Sequence, residues 1–338
     1  MKNRKIIILL ILTLVLTGCT KQLKDVDGKI VKNNKTGQTL PSNILCQPTN
    51  KDIINIYDNN KKEYEVKLKK ELKDGDITKK QYSKAKEELF DIHKLPSCNK
   101  FTPASGGYEG IWTTVFVKPL AWVLIQIGQF VKNYGLSVII ITILIRTILY
   151  PITKKTAKQS EVMKEAQPAL SKIEKKYKNK TDQESMTMKS QEMMAVYKKY
   201  GINPMSGCIF GFIQIPLFLA FYEALYRLPV LFEDNFLCFN MAVAPAKAAT
   251  QGNYIYLILP VLVLLVTYFS FKLNGTASMN EDQAKQMKLM TNIMMIVIFF
   301  TSFQMSTAII IYWITNSLFT IVQNLFVKRS MKKNDKGV

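Results

Sequence analysis

Five long apolar segments fill the last two thirds of this chain and decide what it can become. They are Ile111–Val131, Tyr134–Thr153, Gly207–Leu228, Tyr254–Phe271 and Leu289–Val327. About 20 apolar residues suffice for one helical crossing of a bilayer. The last segment, at 39 residues, is near twice that length. Thr301-Ser302-Phe303-Gln304 and Ser306-Thr307 divide it into a short helix, 289–303, and a longer one, 307–327. Residues 20–105 are instead polar and lysine-rich. Such a split excludes a single soluble globular domain and a wholly disordered chain. It predicts an all-α polytopic membrane protein.

Charge sets the orientation. The chain carries 46 Lys and Arg against 25 Asp and Glu. In a soluble protein that excess would suggest nucleic acid; at a membrane it follows from cytoplasmic flanks collecting Lys and Arg. Loop 154–206 holds 12 Lys and 6 acids, and tail 328–338 holds five Lys/Arg and one acid. Loop 229–253 has one Lys and two acids. The first two are therefore expected inside and the third outside. Consistent crossings then require 111–131 to lie along the outer interface, where Trp112 and Trp122 suit the depth and Lys118-Pro119 interrupts a straight span. The expectation is five transmembrane helices (134–153, 207–228, 254–272, 289–303 and 307–327), an outer interfacial helix over 110–132, and a cytoplasmic helical hairpin over 154–206. The core would run over 133–328 and a basic cytoplasmic tail over 329–338, with the N-terminus outside.

The first 18 residues read as a processing signal. Lys2, Arg4 and Lys5 precede an apolar stretch, Ile6–Leu16, too short to span a bilayer comfortably. Leu16-Thr17-Gly18-Cys19 follows and resembles a bacterial lipobox. The resemblance implies cleavage before Cys19, with a diacylglyceryl group and an N-acyl chain such as palmitate attached there. Residues 19–109 would form an extracytoplasmic, Lys-rich linker. Within it, helical segments over 61–73 and 78–91 resemble the two-helix SHOCT module. Cys46 and Cys98 both fall outside, so a disulfide between them is open, with Cys238 an odd third.

Chemistry narrows further. No glycine-rich phosphate loop ending in Gly-Lys-Ser/Thr is present, so a nucleotide-driven motor is unsupported. His93 is the single histidine, which leaves little from which to build a histidine-based metal or nucleophile site. No enzyme, no metal and no cofactor beyond the lipid on Cys19 is expected. The informative residue is Arg146, deep in the 134–153 span. A charge at mid-bilayer costs roughly 2.5–3.5 kcal/mol on insertion scales. Arginine cannot escape by deprotonating. Glu223 and Arg227 sit four apart and can pair locally, which leaves Arg146 without an evident acidic neighbour in the sequence. We read it as the charge of a hydrated groove. Its polar lining would be Thr142, Gln214, Trp313, Asn316, Thr320 and Gln323, several at helical spacing. The same side chains could instead bond helix to helix.

In the hairpin, Leu170, Ile173 and Tyr177 share one face, and Met193, Val196, Tyr197 and Tyr200 share another. Its lysines suit anionic lipid or ribosomal RNA. Its methionines suit gap-filling packing or, on a sharper reading, transient contact with varied apolar clients.

Taken together, Tyr134-Gly-Leu-Ser137, Arg146, Gln167-Pro168, Tyr197-Lys-Lys-Tyr-Gly-Ile-Asn-Pro204, Gly207-Cys208, Gln214-Ile-Pro216 and Tyr312-Trp313…Asn316-Ser-Leu-Phe-Thr-Ile-Val-Gln323 resemble the YidC-type membrane protein insertase family, in its Gram-positive lipoprotein form. The resemblance covers about residues 110–330. It implies insertion and folding of newly made membrane proteins without nucleotide hydrolysis, through a groove open to cytoplasm and lipid. It places the groove charge on Arg146 and client contact on Ile213, Phe218, Ile309 and Trp313. Implied partners are nascent membrane-protein clients, the ribosome, the secretory translocon and anionic lipids, with no DNA and a monomer as the working unit. The implied location is the bacterial cell membrane. The competing reading is a small-solute transporter or channel, which usually shows paired repeats with broken helices at mid-depth.

Overall fold

The computed structural model describes residues 21–180, 182–203, 206–274 and 281–334, with backbone alone for 206–213, 274, 281–287 and 332–334. The signal segment and Cys19 lie outside the described residues. The protein is mostly helical, at 72%. It divides into two compact units. One comprises Met1–Ile141, Pro216–Leu257 and Gln304–Ile311; the other comprises Thr142–Ile215, Ile258–Phe303 and Tyr312–Val338.

The first unit begins with a folded segment where a linker was expected. Antiparallel bridges join Gln22 to Pro41, Lys24 to Ile30 and Lys32 to Thr39. Leu23, Leu40, Ile44 and Leu45 are buried. Single bridges between short apolar stretches leave no periodic trace, so the sequence reads as polar coil. Helix α1 spans Lys51–Asp74, starting ten residues before the expected 61 because Asn50 caps it: its side chain accepts from the Asp52 and Ile53 amides. Gly75, at φ 84°, closes the helix in a left-handed conformation that glycine adopts without strain. Helix α2, Lys79–Glu88, opens on a reciprocal Thr78–Gln81 capping box. A disulfide ties Cys46 to Cys98, and Cys238 is an exposed free thiol.

A π-helical turn over Thr113–Val117 leads into α3, Lys118–Val131. Helix α4 is Tyr134–Ile148, and α5 is Tyr150–Tyr177, bent 69° from it. The expected crossing to residue 153 therefore breaks at Leu149. Pro151, in the first turn of α5, has no N–H for the preceding turn and its ring crowds a continuous helix. In the second unit α5 packs against α6, Gln183–Tyr200, around Met163, Ala166, Leu170, Tyr197 and Ile202. The Asp182 side chain caps α6 at the Ser185 amide, 2.8 Å away. Gln159 on α5 donates to the Gly201 carbonyl at 3.3 Å and accepts from the Asn203 amide at 2.9 Å, closing the hairpin.

Helix α7 covers Ser206–Tyr226, and α8, Pro229–Glu233, follows. A two-stranded turn pairs β1, Asn235–Phe236, with β2, Phe239–Asn240, before α9, Pro245–Thr250. Helices α10 (Ile258–Asn274) and α11 (Glu281–Ser302) pack together. Helix α12 is Thr307–Asn334, continuing past the expected end at 327 into the basic tail. Its start is pinned by Thr307, whose amide and hydroxyl both donate to the Val243 carbonyl.

Among the described residues, three helical stretches are long and apolar enough to cross a membrane: Thr113–Val131, Tyr254–Leu273 and Thr307–Met331. The bent α4–α5 pair makes a fourth if it is one span, and Lys288–Ser302 is apolar but shorter.

Candidate functional site

Arg146 sits in the last turn of α4 and is 3% exposed. Its Nε–H donates to Asn316 Oδ1 on α12 at 2.5 Å. Its Nη2–H donates to Gln214 Oε1 on α7 at 2.6 Å. A guanidinium offers only donors, so both amides must turn their oxygens toward it. Protein amides take these two of its donors. Both amide residues keep partial exposure while the guanidinium is covered. Three helices thus meet on one cation inside the second unit.

The other expected lining residues do not all gather there. Thr142, one turn before Arg146, is 1% exposed. Trp313 reaches α10, its indole N–H donating to Thr267 Oγ1 at 3.1 Å. The Thr320 hydroxyl donates to the Asn316 carbonyl at 2.9 Å, which fixes the turn that carries the amide. Gln323 accepts from the Thr153 hydroxyl on α5 at 3.0 Å. Trp313 and Gln323 therefore bond helix to helix, as the alternative reading of that stripe holds. Of the expected client-contact residues, Phe218 is half-buried with its ring 6.2 Å from Tyr222, and Ile309 is buried. The Ile213 side chain lies outside the described residues. Leu318, Val322, Leu325 and Phe326 present exposed apolar surface on α12.

The first unit holds a second buried polar cluster, much of which sequence reasoning missed. Arg227 is 1% exposed and bonds Glu223 at 3.1 Å, the expected local pair. It also bonds Glu109, and its Nε–H donates to the Asn43 carbonyl at 2.6 Å. Lys118, fully buried, pairs with Glu109 at 3.0 Å and donates to the Ser105 and Gly107 carbonyls. The Trp112 indole donates to Glu223 at 3.0 Å. Two cations thus meet two carboxylates. Burial pushes the Glu109 carboxyl up, but the Arg227 charge and the bonds from Arg227 and Lys118 outweigh it and hold the group below its ordinary value. Beyond the Glu223–Arg227 spacing, nothing at short range marks this cluster: Glu109 lies 118 residues and Asn43 184 residues from Arg227.

The outer segment is fastened by further bonds. The Glu233 carboxylate accepts from the Thr49 amide at 2.7 Å and the Asn50 amide at 2.8 Å, just ahead of α1. The Leu45 amide donates to the Arg227 carbonyl at 3.0 Å. Among the described residues, no cluster of three or more His, Cys, Asp or Glu could hold a metal ion.

Comparison with known proteins adds a relationship. Residues 126–335 match the family model described as 60Kd inner membrane protein. A membrane protein insertase YidC of Oceanobacillus iheyensis is 34% identical over 243 residues, covering 70% of this chain and 92% of that protein. The membrane protein insertase MisCA of Bacillus subtilis is 32% identical over 234 residues, 69% of this chain and 85% of its own length. A solved structure titled as an active YidC insertase is similar at a TM-score of 0.41 and 19% identity, over 71% of this chain and about half (49%) of that one.

Proposed function

The chain belongs to the YidC family of membrane protein insertases, and from that premise we propose that it inserts newly made proteins into a bacterial membrane. The observation that carries the reading is Arg146, a cation buried on an apolar helix and bonded there by the neutral amides of Gln214 and Asn316. A single-span client must carry a polar tail across an apolar slab of ~30 Å. A hydrophilic groove reaching part-way, open to cytoplasm and lipid, shortens the dry path. Arg146 attracts the acidic residues of the tail. The client's apolar segment then leaves for lipid, driven by burial worth ~25 cal/mol per Å². An outside-positive potential draws acidic tails outward by about 2.3 kcal/mol per charge per 100 mV. None of these steps consumes a nucleotide.

Five crossings, N-terminus outside and C-terminus inside, fit the charge distribution of the loops. Helix α3 then lies along the outer interface: Ile111, Val115, Phe116, Trp122 and Phe130 offer exposed apolar surface on and just before it. The lipid on Cys19 anchors the outer segment. The lysines of the α5–α6 hairpin suit anionic lipid and the ribosome, and the translocon is a further partner. A monomer suffices.

The test is reconstitution in liposomes with one short acidic-tailed client and protease protection of its tail. Arg146→Ala should lower protection about tenfold or more, and Arg146→Lys should retain most of it. Unchanged insertion with Arg146→Ala would overturn the reading. Ion conductance in the same liposomes without client would point to a channel.

A further inference from the structure

The bonding of Arg146 carries one step more, which rests on the insertase reading. Nε and Nη2 form one edge of the guanidinium, the pair of parallel donors that takes a carboxylate in bidentate fashion. Here that edge is occupied by two separate oxygens, one from Gln214 and one from Asn316, on different helices. Each oxygen belongs to a neutral amide. The guanidinium supplies one charged partner to either kind of bond; a carboxylate adds the opposite charge and can take both parallel donors of the edge at once, which a single amide oxygen cannot. Asn316 and Gln214 also keep exposed surface while Arg146 is covered, so an arriving group meets the amides first.

We propose that Asn316 and Gln214 are exchangeable placeholders: they hold the Nε/Nη2 edge of Arg146 in place between clients and yield it to a client carboxylate. They are positioning residues, since they act through Arg146. Their neutrality is the specificity device. An amide oxygen is a good enough partner to keep a buried guanidinium bonded, and a weak enough one to lose to an acid. The Thr320 hydroxyl on the Asn316 carbonyl keeps that turn of α12 in register while the side chain swings. The chemistry recognised is an acidic residue in a translocating tail.

Asn316→Asp and Gln214→Glu test this, against Asn316→Leu and Gln214→Leu. The acidic variants are near-isosteric and strengthen the bond to Arg146. If the amides serve only to join helices, the acidic variants should insert clients as well as the native chain, and the leucine variants should be worse. The placeholder role gives the reverse order. Asn316→Asp should fall about tenfold or more on an acidic-tailed client, to the level of Arg146→Ala, while Asn316→Leu loses about two- to fivefold. A client with a neutral tail should lose far less with Asn316→Asp protein than an acidic-tailed one does. Thermal unfolding of purified Asn316→Asp protein should be no lower than native, which separates the defect from misfolding. Native-level insertion of the acidic-tailed client by both acidic variants, alongside a clear Arg146→Ala defect, would overturn this proposal and leave the insertase reading standing. No Arg146→Ala defect at all would sink both.

Discussion

Two buried arginines in this protein are bonded in opposite ways. Arg227 meets carboxylates: Glu223 from the last turn of α7, which it follows, and Glu109 from the loop before α3, with Lys118 joining through Glu109. Arg146 meets the amides of Gln214 and Asn316. Both are almost wholly covered, at 1% and 3% exposure. Taking an ion out of water costs several kcal/mol, and a well-placed counter-ion offsets it. Arg227 has that compensation built into the fold, and its charge is thereby committed. Arg146 gives its Nε and Nη2 donors to amide oxygens, which carry no opposing charge. The first arrangement suits a fastening, the second a site that must answer to something else.

Removing each charge should therefore give different defects. Arg227→Ala leaves the buried Glu223 carboxylate without its cation, while the partly exposed Glu109 keeps Lys118, and should cost about 3 kcal/mol of stability or somewhat more. Arg146→Leu strands the amide oxygens of two partly exposed residues, Gln214 and Asn316, so its cost should lie near the low end of about 1–3 kcal/mol. Denaturant unfolding in matched micelles compares them. Equal losses would erase the distinction. The functional assay should rank them the other way per unit of stability, with Arg146→Leu failing on acidic-tailed clients while still folded.

The second largest effect concerns the covalent tie in the same region as Arg227. Cys46 and Cys98 close a loop across 52 residues. On the chain-entropy account, the double substitution to Ser should lower stability by about 4 kcal/mol. Insertion of a tail through the Arg146 site should persist if the outer segment is a fastening. Loss of insertion at temperatures where the protein stays folded would mean that the outer segment takes part in the transfer.

How much of this was readable in advance divides along the same line. Arg146 stood out because a charge interrupts a long apolar run, and the break before Thr307 stood out because polar residues cluster there. Local spacing also exposed the Glu223–Arg227 pair. Glu109 and Asn43 did not stand out: their partner is more than a hundred residues away, and nothing at short range marks the contact. Leu23, Leu40, Ile44 and Leu45 were hidden for a similar reason, since isolated bridges carry no period. The bend at Leu149 was legible in Pro151, yet length and hydropathy alone favoured one straight crossing. The stripe Trp313, Asn316, Thr320, Gln323 divides in use: Asn316 bonds the arginine, while Trp313 and Gln323 bond Thr267 and Thr153 on other helices.

Acid offers a milder probe. Glu109 is held below its ordinary 4.5 by Arg227 and Lys118 against the upward push of burial. A carboxyl whose folded value is depressed contributes stability above its unfolded value and loses it as pH falls through the folded one. Unfolding temperature should thus change little from neutrality to about pH 5, then drop. Glu109→Gln should flatten that drop. The amides on Arg146 do not titrate in this range, so Gln214→Leu should leave the slope unchanged. A slope altered by Gln214→Leu and not by Glu109→Gln would reverse the assignment of the acid-sensitive tie.

The smallest expected effect tests whether neutral bonds in the second unit matter only as packing. Trp313→Phe removes the indole donor to Thr267, a bond between neutral groups and worth about 1 kcal/mol. Gln323→Leu removes the acceptor for Thr153 and should cost about the same. Neither bond involves the cation, so both variants should lose stability without discriminating acidic from neutral client tails. Asn316 differs from these two in that its amide oxygen accepts from a charged group. If Gln323→Leu weakened acidic-tailed clients selectively, the relevant unit would be the whole polar stripe of α12 and not the single turn that meets Arg146.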